Sequence, residues 1–239
     1  MPYNQAWYNN LRSRHRLKNT DTCYCFDVGS AEGDEFLTLA NNNNNIQVYA
    51  FEPLPKQYEI IKNKTNHLSN FHIFNLAVSN YNGNSKFNMC DDINFRTSSL
   101  KQYDNNADNT WKNCWSGRFK NDNITDVWKF VKQIDVSVIQ ITDFLNENNI
   151  PIIHFLHCDT QGNDYEVIQN GVILNKILEG VVECCTFDNR PLYENQKSLN
   201  FISAFLNNNN YVITKKVEQA RDLTLNRGLE TNLFFKLKN

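Results

Sequence analysis

The chain has 239 residues, 41% of them apolar and 13% aromatic, with a formal net charge of −2. That length supplies one α/β domain with its own core, and the apolar content excludes a disordered chain. The near-neutral balance argues against a duplex nucleic-acid partner, no apolar run reaches the length of a membrane span, and seven cysteines, an odd count, exclude a complete disulfide framework.

Residues 1–22 read as a partly helical N-terminal segment without the apolar core of a secretion leader. Its Arg12, Arg14, Arg16 and Lys18 belong to a solvated lead-in helix or touch an anionic group. A single domain is expected over 23–239. Cys23–Val28 is a short apolar run with aromatic and β-branched members, a buried strand. Gly29 and Gly33 bracket a turn into the helical pattern EFLTLA, and Ile46–Phe51 is a second strand stopped by Glu52-Pro53. In a parallel α/β sheet, ligands sit outside the carboxyl ends of the strands where the strand order reverses. Gly29 lets backbone approach a ligand, the amides opening the next helix would face it, and Glu52 can accept from two vicinal ribose hydroxyls. A nucleoside-containing cofactor fits. The spacing is G-x-x-x-G rather than G-x-G-x-x-G, so an ordinary strand-to-helix turn would show the same glycines.

Pro55 starts a helix, 71–76 is a third strand, and Gly83 turns the chain into a short antiparallel strand over 85–89. Residues of about 91–135 are irregular and hold Arg96, Trp111, Trp115, Arg118 and Trp128. They form either a lid or binding insertion, with aromatics for stacking on a sugar, or a small aromatic subdomain core. Strands follow at 136–141, 152–158 and 181–187, separated by helices from 142 and after Gly162. A helix over 198–207 and two last strands, 211–215 and 232–237, close the chain as a terminal hairpin. The asparagine tracts at 41–45 and 207–210 read as connecting loops. Strand–helix alternation predicts a mostly parallel sheet covered on both faces. Cys23, Cys25, Cys158 and Cys184 fall in strand patterns as small buried apolar residues. No paired C-x-x-C units suggest zinc, and a reducing cytoplasm is the expected compartment.

The segments FDVGSAEG, VYAFEPLPKQY, FNLAVSNYNG, SSL, IQITDFL and LHCDTQGNDYEVIQNG, in this order, resemble FkbM-type methyltransferases over roughly residues 23–214. The resemblance implies a Rossmann-like class I methyltransferase fold with a mostly parallel seven-stranded sheet. It also implies S-adenosyl-L-methionine as donor and hydroxyls of sugars, glycans or natural products as acceptors. Asp27, Gly29, Ser30 and Gly33 would line the methionine end of the donor. Glu52 would hold the ribose, Asn75, Ala77 and Val78 would border the adenine, and Ser98 and Ser99 would close over the methionine. Asp159 matches the strand-end Asp of the family's K-I-D-x-E-G motif. His157 stands where Lys is usual, Gln161 where Glu is usual, and Asp164 where the next helix carries Glu.

Methyl transfer from a sulfonium is an in-line displacement, so catalysis rests largely on alignment. A sugar hydroxyl attacks better as it loses its proton. Asp159 is the first candidate base, with a donor-binding or turn-capping carboxylate as the alternative. His157, of the same strand parity, is the second, with an internal structural histidine as the alternative. Asp159, Asp188 and Asn189 at adjacent strand ends would suit Mg²⁺ or another divalent cation orienting a sugar diol, unless Asp188-Asn189 is a simple turn. Glu183 is a further carboxylate for the acceptor pocket. Two other functions share the nucleoside pocket: a nucleotide-cofactor oxidoreductase and a non-catalytic nucleoside-binding module.

Overall fold

A computed structural model describes residues 3–91, 95–107, 111, 114–115, 130–222 and 225–238. The strands are β1 (Cys23–Val28), β2 (Ile46–Phe51), β3 (Phe71–Phe74), β4 (Ala77–Ser79), β5 (Gly83–Met89), β6 (Cys114–Trp115), β7 (Lys132–Gln140), β8 (Ile153–Cys158), β9 (Ile177–Cys185), β10 (Tyr211–Asp222) and β11 (Arg227–Leu237). The helices are α1 (Gln5–Arg14), α2 (Leu37–Asn42), α3 (Pro55–Thr65), α4 (Ile141–Glu147), α5 (Asp164–Ile173) and α6 (Leu199–Asn208).

The central sheet has the order β3-β2-β1-β8-β9-β11-β10-β6. The first five strands pair in parallel; β11 is antiparallel to both β9 and β10. Seven full strands thus make the mostly parallel sheet expected from the sequence, and β6 adds a two-residue edge beside β10. The strand order reverses between β1 and β8, which makes that boundary the switch point. A separate small sheet, β4-β7-β5, takes the strands expected at 85–89 and 136–141.

Strand parity distributes the core. Cys23 and Cys25 pack with Leu11, Leu39 and Ile61 from α1, α2 and α3. Phe26 and Val28 pack with Phe144, Ile168 and Ile202 from α4, α5 and α6. The sheet is therefore buried on both faces, as near-continuous apolar strands require. Fully burying side chains such as Phe26 and Phe51 stabilises the fold by roughly 1.5–3 kcal/mol each. Among the described residues, no helix is long and apolar enough to cross a membrane.

In the irregular region, Trp111 is fully buried and packs with Leu192, Tyr193 and Leu229, while Tyr103 stacks on Phe130 at a centroid distance of 4.1 Å. This is a small subdomain core rather than a display of stacking surfaces. Arg118, Trp128 and the side chain of Trp115 lie outside the described residues.

Candidate active site

A cleft opens at the switch point. Val28, Gly29, Phe51, Glu52, Leu54, Leu76, Ala77, Val78, Arg96, Ser98, Asp159 and Gln161 are among its walls. Of the residues singled out in the sequence, it gathers Gly29, Glu52, Ala77, Val78, Ser98 and Asp159.

Gly29 is required by the approach of two strand ends. Its φ is +82°, and a Cβ there would lie 2.0 Å from the Asp159 carbonyl oxygen. The Asp159 N–H donates to the Val28 carbonyl at 3.0 Å, closing the same junction. Glu52 ends β2 and is 5% exposed. One carboxylate oxygen accepts from the Ala31 N–H and the other from the Leu54 N–H, each at 2.9 Å. Burial pushes its pKa up to about 7, although both amides pull the other way. Each oxygen keeps acceptor capacity toward the cleft. Asn75 sits behind this corner, its amide donating to the carbonyls of Glu52 and Pro53. It fixes the Glu52-Pro53 bend rather than bordering the cleft.

Other expected positions also lie behind the wall. Gly33 is a packing glycine: a Cβ would meet Ile61 on α3 at 2.8 Å. The Ser30 hydroxyl donates to the Asp27 carbonyl. Asp27 is fully buried, and its carboxylate pairs with His157 Nδ1 at 2.9 Å. Parity explains the pairing, because Asp27 and His157 are register partners on β1 and β8, on the side of α1 to α3. Burial opposes charge on the ring, yet the Asp27 hydrogen bond and carboxylate outweigh it and raise the His157 pKa. His157 is thus a structural partner of Asp27 and does not border the cleft.

The turn amides also differ from expectation. Those of Gly29 and Ser30 donate to the Phe51 carbonyl, that of Ala31 to Glu52, and that of Gly33 to the Ser30 carbonyl. The following helix begins only at Leu37. These four donors are used inside the protein, so the turn offers shape more than an amide cradle.

Opposite Glu52 stands a second group of polar residues. Gln161 holds φ +55° and directs its side-chain N–H₂ to Asp159 at 2.6 Å and to Glu183 at 3.3 Å. The Tyr193 hydroxyl meets Gln161 Oε1 at 2.8 Å, and the Ser99 hydroxyl donates to the Gln161 carbonyl at 2.6 Å. Ser99 therefore fixes Gln161, while Ser98 accepts from the Cys90 N–H and faces the cleft. Glu183, Glu230 and Asp164 are buried near Asp159. Burial, then the Asp159 charge, raises the pKa of Glu183 well above the carboxylate range, Glu230 to about 8 and Asp164 to about 7.

The metal trio is not assembled. Asp188 accepts from Ser198 and from Asn200 at its two oxygens, as a turn and helix cap would. Among the described residues, no cluster of three His, Cys, Asp or Glu side chains is placed to hold a metal. Asp188-Asn189 is accordingly a local turn, and the divalent-cation expectation has no support.

Sequence reasoning missed Tyr193 and Glu230, and gave Arg96 no role. Tyr193 packs where only a glycine leaves room: Gly162 has φ +92°, and a Cβ there would strike the tyrosine ring at 2.8 Å.

Residues 27–213 match the family described as Methyltransferase FkbM domain. Among solved structures the chain is similar to precorrin-6y C5,15-methyltransferase from Geobacter metallireducens GS-15, at 11% identity and TM-score 0.45, over 99% of this chain and 89% of that one. It is similar to the N-terminal domain of EvdMO1 determined with SAH and D-fucose, at 7% identity and TM-score 0.48, over 99% and 84%. It is also similar to M. capricolum TrmK in complex with S-adenosyl-homocysteine, at 13% identity and TM-score 0.46, over 96% and 68%. Comparison with curated protein sequences finds no significant match.

Proposed function

Because the chain belongs to the FkbM methyltransferase family and methylates with S-adenosylmethionine as donor, we propose that its acceptor is a hydroxyl of a sugar or glycan. The observation that carries this reading is that Asp159 borders the same cleft as Glu52, with one oxygen held by Gln161. A carboxylate fixed beside the transfer site suits an acceptor that must lose a proton as it attacks.

The cleft fits the donor in its chemistry. Glu52 supplies a buried acceptor for the ribose diol, and Leu54, Leu76, Ala77 and Val78 supply an apolar slot for the base. S-adenosylmethionine, when bound, supplies a methyl group activated by the positive sulfur. The chain's own residues do the rest. Asp159 takes the hydroxyl proton at its carboxylate. Gln161, an amide without an exchangeable acid proton, orients Asp159 instead of acting as acid or base. Tyr193 and Ser99 lock Gln161 in its left-handed conformation. Glu183, its pKa raised by burial and then by the Asp159 charge, stands beside Asp159 on the acceptor side and shares the Gln161 amide with it.

We place the reaction in the cytoplasm. The cysteines whose side chains are described are all free and buried, which supports a reducing compartment. The test is mass spectrometry of mono- and oligosaccharides incubated with isotopically labelled donor. A labelled methyl ether on a glycan is the expected product; transfer to amines or carboxylates with none to hydroxyls would contradict the proposal.

A further inference from the structure

This inference rests on the donor occupying the cleft at Glu52. Its nucleoside carries a zwitterionic amino-acid arm; the ammonium suits a cleft walled by Glu52 and Asp159, whereas the carboxylate of that arm needs a positively charged or N–H partner of its own. The usual source would be the turn after β1, but the amides of Gly29, Ser30, Ala31 and Gly33 already donate to protein acceptors. Among the described residues bordering the cleft, Arg96 is the single basic one.

Arg96 is built for this use. It belongs to the short helical turn Phe95–Thr97. That turn is pinned by the Ser98 N–H on the Phe95 carbonyl, by the Cys90 N–H on the Ser98 hydroxyl and by the Tyr193 hydroxyl on the Thr97 carbonyl. The backbone is fixed while the side chain remains 41% exposed. Its guanidinium fork is already engaged with a carboxylate, that of Glu32, with Nε at 2.8 Å from Oε1. Glu32 lies in the 29–33 turn, so this ion pair ties the turn to the segment carrying Ser98 across the rim. An exposed pair of this kind contributes little stability, on the order of 0–1 kcal/mol, and exchanges readily. A guanidinium accepts any carboxylate that presents two oxygens to it.

We infer that Arg96 is the anion subsite for the amino-acid carboxylate of the bound nucleoside, and that Glu32 is its resident competitor. The ligand's carboxylate exchanges with that of Glu32 on one guanidinium. No bond is made or broken, and the ion pair at the rim reports whether the subsite is filled.

The test compares two probes on the full chain by isothermal titration calorimetry: S-adenosylhomocysteine, and 5′-methylthioadenosine, which keeps the nucleoside and sulfur but lacks the amino-acid arm. Arg96→Gln weakens S-adenosylhomocysteine about tenfold or more and leaves methylthioadenosine within about twofold. Arg96→Lys, keeping the charge without the fork, falls between. Glu32→Gln tightens S-adenosylhomocysteine by a few-fold and leaves methylthioadenosine unchanged. Equal weakening of both probes by Arg96→Gln, or no change in either, overturns the inference while leaving the donor reading intact. A wild-type chain that binds neither probe overturns the donor reading and this inference with it.

Discussion

Glu52 and Glu183 are both buried carboxylates of the site, Glu52 on the cleft wall and Glu183 joined to it through the Gln161 amide, yet their surroundings are opposite. Glu52 receives two backbone N–H groups and sits apart from the acidic group across the cleft. Glu183 has Asp159, Glu230 and Asp164 around it and shares a single amide donor with Asp159. Burial raises both pKa values, Glu52 to about 7 and Glu183 well beyond the ordinary range. The difference teaches how one cleft divides its work. In the proposed reading, the amide-held acid accepts from hydroxyls of a ligand that stays put. Of the four acids on the other side, Asp159 is the one that borders the cleft, and Glu183, Glu230 and Asp164 are packed around it.

The sharpest way to break this division is Asp159→Asn. If Asp159 is the base, kcat falls by about 10²–10⁴-fold, while S-adenosylhomocysteine affinity, measured by calorimetry, changes little. Comparable losses of affinity and kcat would move Asp159 to the donor side.

Gly29→Ala tests the junction that brings the two sides together. The added Cβ meets the Asp159 carbonyl oxygen at 2.0 Å with φ at +82°. Strain of roughly 1–3 kcal/mol follows, and thermal unfolding should show a Tm lower by about 2–10 °C. An unchanged Tm would mean that the strand ends part without cost.

The smallest effect sharpens the acidic side. Glu230 has a folded pKa of about 8, raised by burial and then by Asp159 and Asp164. The folded chain therefore keeps a proton that the unfolded chain releases above about pH 4.3. With more protons bound in the folded state, stability falls as pH rises between those values. Glu230→Gln removes that slope, so the variant should exceed wild type by roughly 1 kcal/mol at pH 8 in urea unfolding and match it near pH 4. A variant less stable at both pH values would show Glu230 to be a needed ionised partner.

The donor side was legible in the sequence, because its elements are contiguous apolar runs ending in a glycine and an acid. Cys23–Val28, Gly29, Ile46–Phe51 and Glu52 hold the places that their pattern predicts. The acidic side was less so. Glu230 reaches it because β11 pairs with β9 in a register that sets Glu230 opposite Cys185 and Asn232 opposite Glu183. Nothing local in the sequence specifies that register. The hairpin strands also run past the expected 211–215 and 232–237, to Asp222 and back from Arg227. Exposed Lys215, Lys216 and Glu218 broke the apolar pattern there without ending the ladder. His157 was misplaced for a different reason: shared parity with Asp159 does not reveal that Asp27 lies beside it in register.

The most direct test is calorimetry of S-adenosylhomocysteine on wild type and Glu52→Ala, read with a crystal structure of the wild-type complex. The account predicts the ribose diol on the Glu52 carboxylate, the base against Leu76 and Val78, and an affinity about 100-fold weaker in the variant, since a charged acceptor for two hydroxyls is worth about 3 kcal/mol. A bound nucleoside away from Glu52, with variant and wild type binding equally, would contradict it.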